Sequence, residues 1–396
     1  ARAPLVYTLF PRLAGTMPEW LSHSARARDL GFRWIHLNPI HLTGASGSLY
    51  AVKDFYQVDP DFIPAGCADG LKELGRTLEA MHEQGLFVMM DLVVNHVARD
   101  SPLVQDRARW FRRDHSGNVI SPSAVDPDDP NKVTVWTDLA EADNAHSPDR
   151  AELWRYWTEL VQYYLDLGFD GFRCDAAYKV PAPLWEQLIR AGRRHNPGVV
   201  FAAETLGCRP TEVRALRAAG FDYLFNSSKW WDFDKSWCLD QHEEFRHIAP
   251  SISFPETHDT ERLMHQTGGR AQVQKQRYAF AAAFAAGILM PIGYEYGARK
   301  PLHVVKSRPA DWEEHVDLTR FIREVNRWSL ELPIMRQEGQ WAVLTDLDSP
   351  TTVLRKRAEG FEPLVLLINK DWHQHQRVQL PDLPRRFPRG AQMIRI

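Results

Sequence analysis

The chain has 396 residues, of which 44% are hydrophobic, with 48 lysines and arginines against 51 aspartates and glutamates. Its net charge of −3 lacks the strong positive excess typical of nucleic-acid or membrane-surface binding, so neither partner is expected. The length accommodates one large α/β barrel of about 250 residues with additional domains. The four cysteines include no Cys-x-x-Cys pair, which argues against a disulfide scaffold and a cysteine-ligated zinc site.

The first residues lead directly into an apolar segment, without the basic stretch and long apolar core of a signal peptide. A cytoplasmic location is therefore expected rather than secretion. The longest uncharged segment, residues 278–294, is shorter than the roughly 20 residues that a membrane-spanning helix needs. It is interrupted by glycine and proline, and we predict a buried helix that runs into a strand.

Short β-rich apolar segments alternate with amphipathic segments along most of the chain, a pattern typical of repeated βα units. Eight such segments with intervening helices predict a closed (β/α)8 TIM barrel. The predicted strands are Leu5–Phe10, Arg33–Pro39, Leu86–Val94, Phe169–Asp175, Val199–Glu204, Tyr223–Asn226, Ile252–Phe254 and Ile288–Ile292. The helix before the fourth strand is expected to be capped by Ser147 and to end at Gly168.

Two regions interrupt this alternation. Residues 97–146 contain Ser-Pro and Asp-Pro pairs, have little apolar periodicity, and exceed the usual length of a βα loop, which predicts a lobe inserted after the third strand. Three short β segments follow Leu332, at Trp341–Leu344, Thr352–Lys356 and Leu364–Ile368, and predict an antiparallel sheet. We therefore expect a barrel from residues 1–96 and 147–332, an inserted lobe at 97–146, and a small C-terminal β domain at 333–396.

Polar residues gather at the predicted C-terminal ends of the barrel strands, where TIM-barrel enzymes carry their catalytic groups. They are Asn95 and His96 after the third strand, Arg173 and Asp175 on the fourth, Glu204 on the fifth, and His258 and Asp259 after the seventh. The carboxylates of Asp175, Glu204 and Asp259 can therefore converge on one pocket.

A cluster of buried acids is costly because burial and like charges both raise carboxyl pKa values, so it indicates acid–base chemistry. Retaining glycoside hydrolysis uses a nucleophilic carboxylate and a protonated carboxyl about 5–5.5 Å apart. Asp175 and Glu204 suit these roles, and Arg173, on the same strand face as Asp175, is expected to keep that acid ionised. His96 and His258 can donate hydrogen bonds to sugar hydroxyls, and Asp259 can accept them.

Four segments occur in the order and strand positions of the core motifs of the α-amylase family, glycoside hydrolase family 13. They are Asp91-Leu92-Val93-Val94-Asn95-His96, Gly171-Phe172-Arg173-Cys174-Asp175-Ala176, Ala203-Glu204-Thr205 and Thr257-His258-Asp259. Residues 31–40, 50–60 and 136–139 resemble further motifs of that family. The resemblance covers about residues 5–330.

The resemblance implies that Asp175 is the nucleophile, Glu204 the general acid and base, and Asp259 the stabiliser of the transition state at an α-glucosidic bond. It also implies that Tyr50 is a stacking ring, and that His96, Arg173 and His258 hold the reacting sugar. Lys179 and Trp230 lie where the family binds the leaving sugar or the acceptor. Asp91 is open to two interpretations, a substrate-binding acid or a barrel-interior acid paired with Arg173.

No cofactor is expected to be required. Asn95 occupies a calcium-ligand position of the family, but the Lys-His pair that usually follows the nucleophile is replaced by Ala176-Ala177-Tyr178-Lys179-Val180, so we do not expect calcium. The lone histidines His36, His41 and His82 are expected to be structural or surface residues. Cys174 is expected to be a packed thiol that faces away from Asp175.

The main functional prediction is a retaining glycosidase that acts on maltooligosaccharides or on starch-type and glycogen-type α-glucans. The alternative is an α-glucanotransferase or maltosyltransferase, which uses the same intermediate with a sugar or phosphate acceptor. A metal-dependent TIM-barrel hydrolase would typically open with a His-x-His pair, but the first strand reads Val6-Tyr7-Thr8-Leu9. A non-catalytic amylase-like module would have lost its acids, and all three are present.

Overall fold

The computed structural model describes residues 4–125, 131–230, 232–346 and 348–377. The strands are β1 (Leu5–Leu9), β2 (Trp34–Leu37), β3 (His41–Thr43), β4 (Val52–Val58), β5 (Phe87–Leu92), β6 (His96–Ala98), β7 (Ser123–Val125), β8 (Val133–Val135), β9 (Leu139–Glu141), β10 (Gly171–Cys174), β11 (Val200–Glu204), β12 (Tyr223–Phe225), β13 (Ser251–Ser253), β14 (Gly287–Pro291), β15 (Gln340–Val343), β16 (Thr351–Arg357) and β17 (Leu364–Asn369). The helices are α1 (Pro11–Ala14), α2 (Met17–Asp29), α3 (Gly70–Glu83), α4 (Leu103–Asp106), α5 (Arg150–Leu167), α6 (Ala182–His195), α7 (Pro210–Ala215), α8 (Ser236–Phe245), α9 (Leu263–Gln266), α10 (Ala271–Phe284) and α11 (Thr319–Glu331).

Eight parallel strands close into a barrel in the order β1-β2-β5-β10-β11-β12-β13-β14, and β14 pairs again with β1. The strands follow one another around the barrel in chain order, as in a TIM barrel. Each of the eight corresponds to one predicted strand, with its ends displaced by at most two residues. The predicted (β/α)8 fold is therefore confirmed.

A layer of apolar side chains fills the barrel interior: Val6, Trp34, Met89, Ala202, Phe225, Ile252 and Leu289. At this level β10 carries Gly171, where a Cβ atom would lie 2.6 Å from the carbonyl oxygen of Val200 and 3.4 Å from the ring of Trp34. Side chains alternate along a strand, so the residues two positions further on form the next inward layer, nearer the C-terminal ends. They include the polar residues Thr8, His36, Asp91, Arg173 and Glu204.

The helix before β10 differs from its prediction at one end only. α5 ends at Gly168, whose φ of 119° accommodates the left-handed turn, as expected. It begins at Arg150 rather than next to Ser147, whose hydroxyl donates a 2.8 Å hydrogen bond to the carbonyl of Arg109 and accepts one of 3.1 Å from the N–H of Asp149. The predicted start of this helix was therefore wrong by two residues.

Additional strands lie over the C-terminal side of the barrel. The antiparallel pair β3 and β4 follows β2, in a segment for which the sequence predicted no strand. After β5, β6 pairs with β9, and β7 forms a hairpin with β8. These last four strands fall within the predicted inserted region, whose boundaries at residues 97 and 146 stay a prediction.

β15, β16 and β17 form the predicted C-terminal antiparallel sheet. It packs against the barrel through Trp341, whose ring is stacked on Phe284 with a centroid distance of 4.8 Å. Residues 378–396 of the predicted C-terminal domain lie outside the described residues. Within the described part of the chain, none of the helices combines the length and the hydrophobicity that crossing a membrane requires.

Candidate active site

Arg173 joins three carboxylates at the C-terminal end of the barrel. Its Nη1 donates to Oδ1 of Asp91 at 2.6 Å and to Oδ1 of Asp175 at 2.9 Å. Its Nη2 lies 3.7 Å from Oε2 of Glu204. Asp91 comes from β5, Arg173 from β10 and Glu204 from β11, three adjacent strands of the barrel. One buried guanidinium therefore connects the predicted nucleophile, the predicted acid and Asp91.

Asp91 is completely buried, and both of its oxygens are bonded to protein groups. Oδ1 binds Arg173, while Oδ2 accepts a 2.8 Å hydrogen bond from the hydroxyl of Tyr50 and lies 3.3 Å from Nε2 of His36. Burial opposes ionisation, but the charges of Arg173 and His36 outweigh it and hold the pKa of Asp91 below its ordinary value. These contacts favour the interpretation of Asp91 as a barrel-interior partner of Arg173.

His36 also belongs to this network. The sequence had indicated only a structural or surface histidine at this position. Besides its contact with Asp91, its Nδ1 lies 3.1 Å from the hydroxyl of Thr8. The available signal was its position two residues beyond Trp34, on the inward face of β2. His41 is a buried core residue and His82 lies 2.9 Å from Asp170, so those two expectations are confirmed.

Tyr50 and His258 connect Asp91 to Asp259. The Tyr50 hydroxyl lies 2.7 Å from Nε2 of His258, and the two rings are stacked with an interplanar angle of 4°. The same Nε2 lies 3.1 Å from Oδ2 of Asp259. Burial lowers the pKa of His258, and the charge of Arg173 lowers it further. Together these two effects outweigh the charge of Asp259, which acts in the opposite direction. The imidazole is thus neutral at pH 7 and can bridge the two groups.

Asp175 and Glu204 are two buried acids that both lie against Arg173. Burial raises the pKa of both carboxyl groups, and the charge of Asp259 raises both further. Glu204 also raises the pKa of Asp175, and Arg173 offsets these effects only in part. The expectation that Arg173 keeps Asp175 ionised is incomplete, because the same Nη1 atom also donates a hydrogen bond to Asp91. A singly protonated pair is favoured, and the 2.9 Å bond from Arg173 stabilises the form in which Asp175 carries the charge.

The backbone immediately after Asp175 orients Glu204. Ala176 adopts a left-handed conformation with φ of 43°, and its N–H donates a 2.8 Å hydrogen bond to Oε2 of Glu204. A non-glycine residue in this region is strained, which is typical of functional sites. No signal in the sequence marks this contact, because alanine has no preference for the left-handed region.

His96 and Asn95 lie side by side after β5. Burial lowers the pKa of His96 to about 4, so its ring is neutral, and among the described residues its Nε2 has no hydrogen-bond partner. The amide nitrogen of Asn95 lies 3.3 Å from Nδ1 of His96. Nowhere in the described ranges do three or more His, Cys, Asp or Glu side chains form a group that could hold a metal. The expectation that Asn95 does not hold calcium stays a prediction.

Lys179 and Trp230 lie outside the hydrogen-bonded cluster. Nζ of Lys179 donates a 3.0 Å hydrogen bond to the carbonyl of Ser123 in β7, joining the segment after Asp175 to the inserted region. Trp230 follows β12, is 51% exposed, and lies 3.9 Å from the position of a Cβ atom on Gly207 in the loop after β11. Trp231 lies outside the described residues. Cys174 is buried in the core, as expected.

A family model described as "Glycogen debranching enzyme, glucanotransferase domain" matches residues 3–109. The α-1,4-glucan:maltose-1-phosphate maltosyltransferase of Burkholderia pseudomallei (strain K96243) is 28% identical over 366 residues, which cover 90% of this chain and 31% of that protein. The intracellular maltogenic amylase of Bacillus subtilis (strain 168) is 23% identical over 346 residues, 80% of this chain and 56% of that protein. The chain thus spans between about a third and somewhat over half of the length of these relatives.

Solved structures support the fold. An α-amylase from Lactobacillus plantarum has a TM-score of 0.75 at 23% identity, with 93% of this chain and 89% of that chain covered. An α-amylase from Geobacillus thermoleovorans in complex with acarbose has a TM-score of 0.74 at 18% identity, with 93% and 87% covered. The four ordered motifs and these similarities all point to the α-amylase family, glycoside hydrolase family 13.

Proposed function

We propose that this chain is a retaining α-glucan-active enzyme that works on maltooligosaccharides or on starch-type and glycogen-type glucans. The observation that carries the proposal is the Arg173-linked pair of Asp175 and Glu204, with Asp259 connected to the same network through His258. Two adjacent acids that share a proton supply the nucleophile and the acid that a retaining glycosidase needs.

In the first step the carboxylate of Asp175 attacks the anomeric carbon, and the bond to the leaving oxygen breaks as Glu204 gives that oxygen its proton. The product is a covalent glycosyl ester on Asp175. In the second step Glu204 removes a proton from the acceptor hydroxyl, which attacks the anomeric carbon and releases Asp175. Asp259 accepts hydrogen bonds from sugar hydroxyls. The Nε2 atom of His96, which has no hydrogen-bond partner among the described residues, supports a contact of this ring with the reacting sugar.

The acceptor decides between hydrolysis and transfer, because both reactions use one intermediate. Transfer to a sugar or to phosphate is the second candidate, supported by relatives that are named maltosyltransferases and by the family model named for a glucanotransferase domain. Lys179 is an exposed cation after the nucleophile and Trp230 an exposed ring after β12, so both suit the acceptor side. A cation and an aromatic face are the groups that bind phosphate and sugar rings, respectively.

The deciding experiment incubates the protein with maltoheptaose, alone and with added phosphate or glucose, and resolves the products by chain length. Hydrolysis gives only shorter oligosaccharides and is unaffected by phosphate. Products longer than the substrate indicate transfer to sugar, and a glycosyl phosphate indicates transfer to phosphate. No change of the substrate under any condition would refute the proposed activity.

Variants test the assignment of the acids. Asp175→Ala and Glu204→Gln are expected to lower the rate on maltoheptaose by at least about a thousandfold. Asp166→Ala is the control, because this carboxylate is exposed and pairs with His195 on the outer helices. Full activity of Asp175→Ala would show that another residue is the nucleophile. A chelator is expected to leave the rate unchanged, whereas a metal-dependent hydrolase would lose activity.

A further inference from the structure

The loop that carries His258 and Asp259 is held by an internal ion pair. It connects β13 to α9, and Glu256 lies three residues before Asp259 while Arg262 lies three residues after it. Nη1 of Arg262 donates a 2.8 Å hydrogen bond to Oε1 of Glu256, and both side chains are 1% exposed. The pair therefore closes the base of the loop inside the protein.

Every polar group of the pair has a partner. Oε2 of Glu256 accepts a 2.6 Å hydrogen bond from the backbone N–H of Leu263, the first residue of α9. The remaining nitrogens of Arg262 reach the segment that follows β14: Nη2 donates to the carbonyl of Ile292 at 2.9 Å and Nε to that of Lys300 at 3.1 Å. The loop is thereby fixed to the end of β14 as well as to itself.

The carboxylate of Asp259 makes far fewer contacts than the Glu256 and Arg262 pair. Its side chain is 48% exposed, and its ionic contact within the described residues is with His258, at 3.1 Å. Lys229 adds a further tie to the loop, since its Nζ donates to the carbonyl of Glu261 at 3.3 Å and to Gln266 at 2.9 Å. The position of Asp259 in the pocket therefore depends on the loop backbone, which these buried contacts hold.

We infer that Glu256 and Arg262 are positioning residues, which set the place of Asp259 for the reaction without touching the substrate. The inference rests on the proposed function of Asp259. A buried ion pair that loses one partner leaves an uncompensated charge, so substitutions that keep both charges are the informative ones. Glu256→Asp shortens the side chain, so that one carboxylate no longer reaches both Arg262 and the Leu263 N–H.

The first test is a double-mutant cycle on the conversion of maltoheptaose. Glu256→Asp is expected to lower kcat at least about tenfold with little change in KM, because a displaced Asp259 weakens the transition state more than the ground state. In an Asp259→Asn background the same change is expected to cost less than about twofold, because its effect acts through Asp259. An equal loss in both backgrounds would overturn the inference, as would an unchanged kcat.

The matched control is Glu295→Asp. Glu295 is also a buried carboxylate paired with an arginine, Arg26 at 3.0 Å, but it binds α2 rather than the loop of Asp259. Glu295→Asp is expected to keep kcat within about twofold of the original value. If Glu295→Asp lowers kcat as much as Glu256→Asp does, the loss is a general effect of weakening a buried ion pair. If Glu256→Asp does not fold, Arg262→Lys serves the same cycle, because lysine keeps the charge and cannot reproduce all three guanidinium contacts.

Amide hydrogen exchange gives a readout that does not need activity. Residues 257–261 are expected to exchange faster in Glu256→Asp than in the unmodified protein, and to be unchanged in Glu295→Asp. Unchanged exchange in Glu256→Asp would overturn the inference. If the unmodified protein converts no α-glucan, the proposed function fails, whereas the exchange result still decides whether the ion pair holds the loop.

Discussion

The hydroxyl of Tyr50 donates a 2.8 Å hydrogen bond to Oδ2 of Asp91, and it also lies 2.7 Å from Nε2 of His258. A single oxygen thus joins the buried acid beside Arg173 to the histidine beside Asp259. Burial and the charge of Asp91 raise the pKa of Tyr50, so the hydroxyl keeps its proton for this bond. Tyr50 comes from the loop before β4, so this bond fixes the loop to a buried residue of β5.

Tyr50→Phe is expected to lower kcat/KM on maltoheptaose by about tenfold or more, because a hydrogen bond to a charged group is worth about 1.5–3 kcal/mol. The melting temperature is also expected to fall, since Asp91 loses a donor in a buried place. Tyr163→Phe removes a hydroxyl from the outer helix α5 and is the control. If Tyr50→Phe keeps the full kcat/KM, the stacked position of the ring does not depend on its hydroxyl.

Asp259 is expected to set the pH range of the reaction. Its negative charge raises the pKa of both Asp175 and Glu204, so its removal lowers both values. On its acid limb, the kcat/KM profile reports the loss of the first proton from the Asp175 and Glu204 pair, which leaves one carboxylate. On its basic limb, it reports the loss of the second proton, which Glu204 needs as the acid. Asp259→Asn is therefore expected to move both limbs to lower pH, whatever its residual rate. The measurement uses an aryl maltooligoside, and a shift to higher pH would contradict the geometry.

Ala176 offers a test of the backbone contact with Glu204. Ala176→Gly keeps the N–H in the left-handed region, and we expect kcat/KM within about twofold of the original value. Ala176→Val is strained in that region and is expected to withdraw the donor, with a loss of about tenfold in kcat/KM. The hydrogen bond from Ala176 lowers the pKa of Glu204, so its loss is expected to move the basic limb to higher pH in the valine variant. Equal profiles for glycine and valine would show that the contact is not used.

The barrel and its acids could be predicted because two simple regularities govern them. Strand residues alternate with period two, so an apolar layer that includes Trp34 and Met89 implies a next layer that includes His36 and Asp91. Polar groups at the ends of parallel strands meet at one edge, which brought Asp175 and Glu204 together. The β3–β4 hairpin was not predicted because the buried residues of β4, Val52, Phe55 and Val58, recur every third position instead of alternating.

The residues that the sequence did not reveal act through geometry rather than through their type. Ala176 contributes a backbone N–H whose direction depends on a single φ angle, and no composition signal encodes that angle. Glu256 and Arg262 are ordinary charged residues in a polar loop, and only the folded chain shows that both are buried and paired.

His41 provides a test of stability that is separate from the reaction. It lies on β3, 2% exposed, with its ring edge-on to Phe55 and Tyr164 at centroid distances of 5.3 and 5.4 Å. Neither ring nitrogen has a hydrogen-bond partner in the described part of the chain. Burial lowers the pKa of His41 from its ordinary 6.5 to about 4. An aromatic pocket with no polar partner suits phenylalanine better than imidazole.

His41→Phe is therefore expected to raise the melting temperature, and to raise it more in acid. Between the ordinary pKa and the lowered one, the unfolded chain binds a proton that the folded chain does not, so the free energy of unfolding falls as the pH falls through this range. The loss amounts to about 3 kcal/mol in total for one such histidine, and the phenylalanine variant lacks it. Thermal unfolding of both proteins near neutrality and at about pH 5 measures the difference. If the difference in melting temperature between the two proteins is the same at both pH values, the pKa of His41 is not lowered in the folded chain.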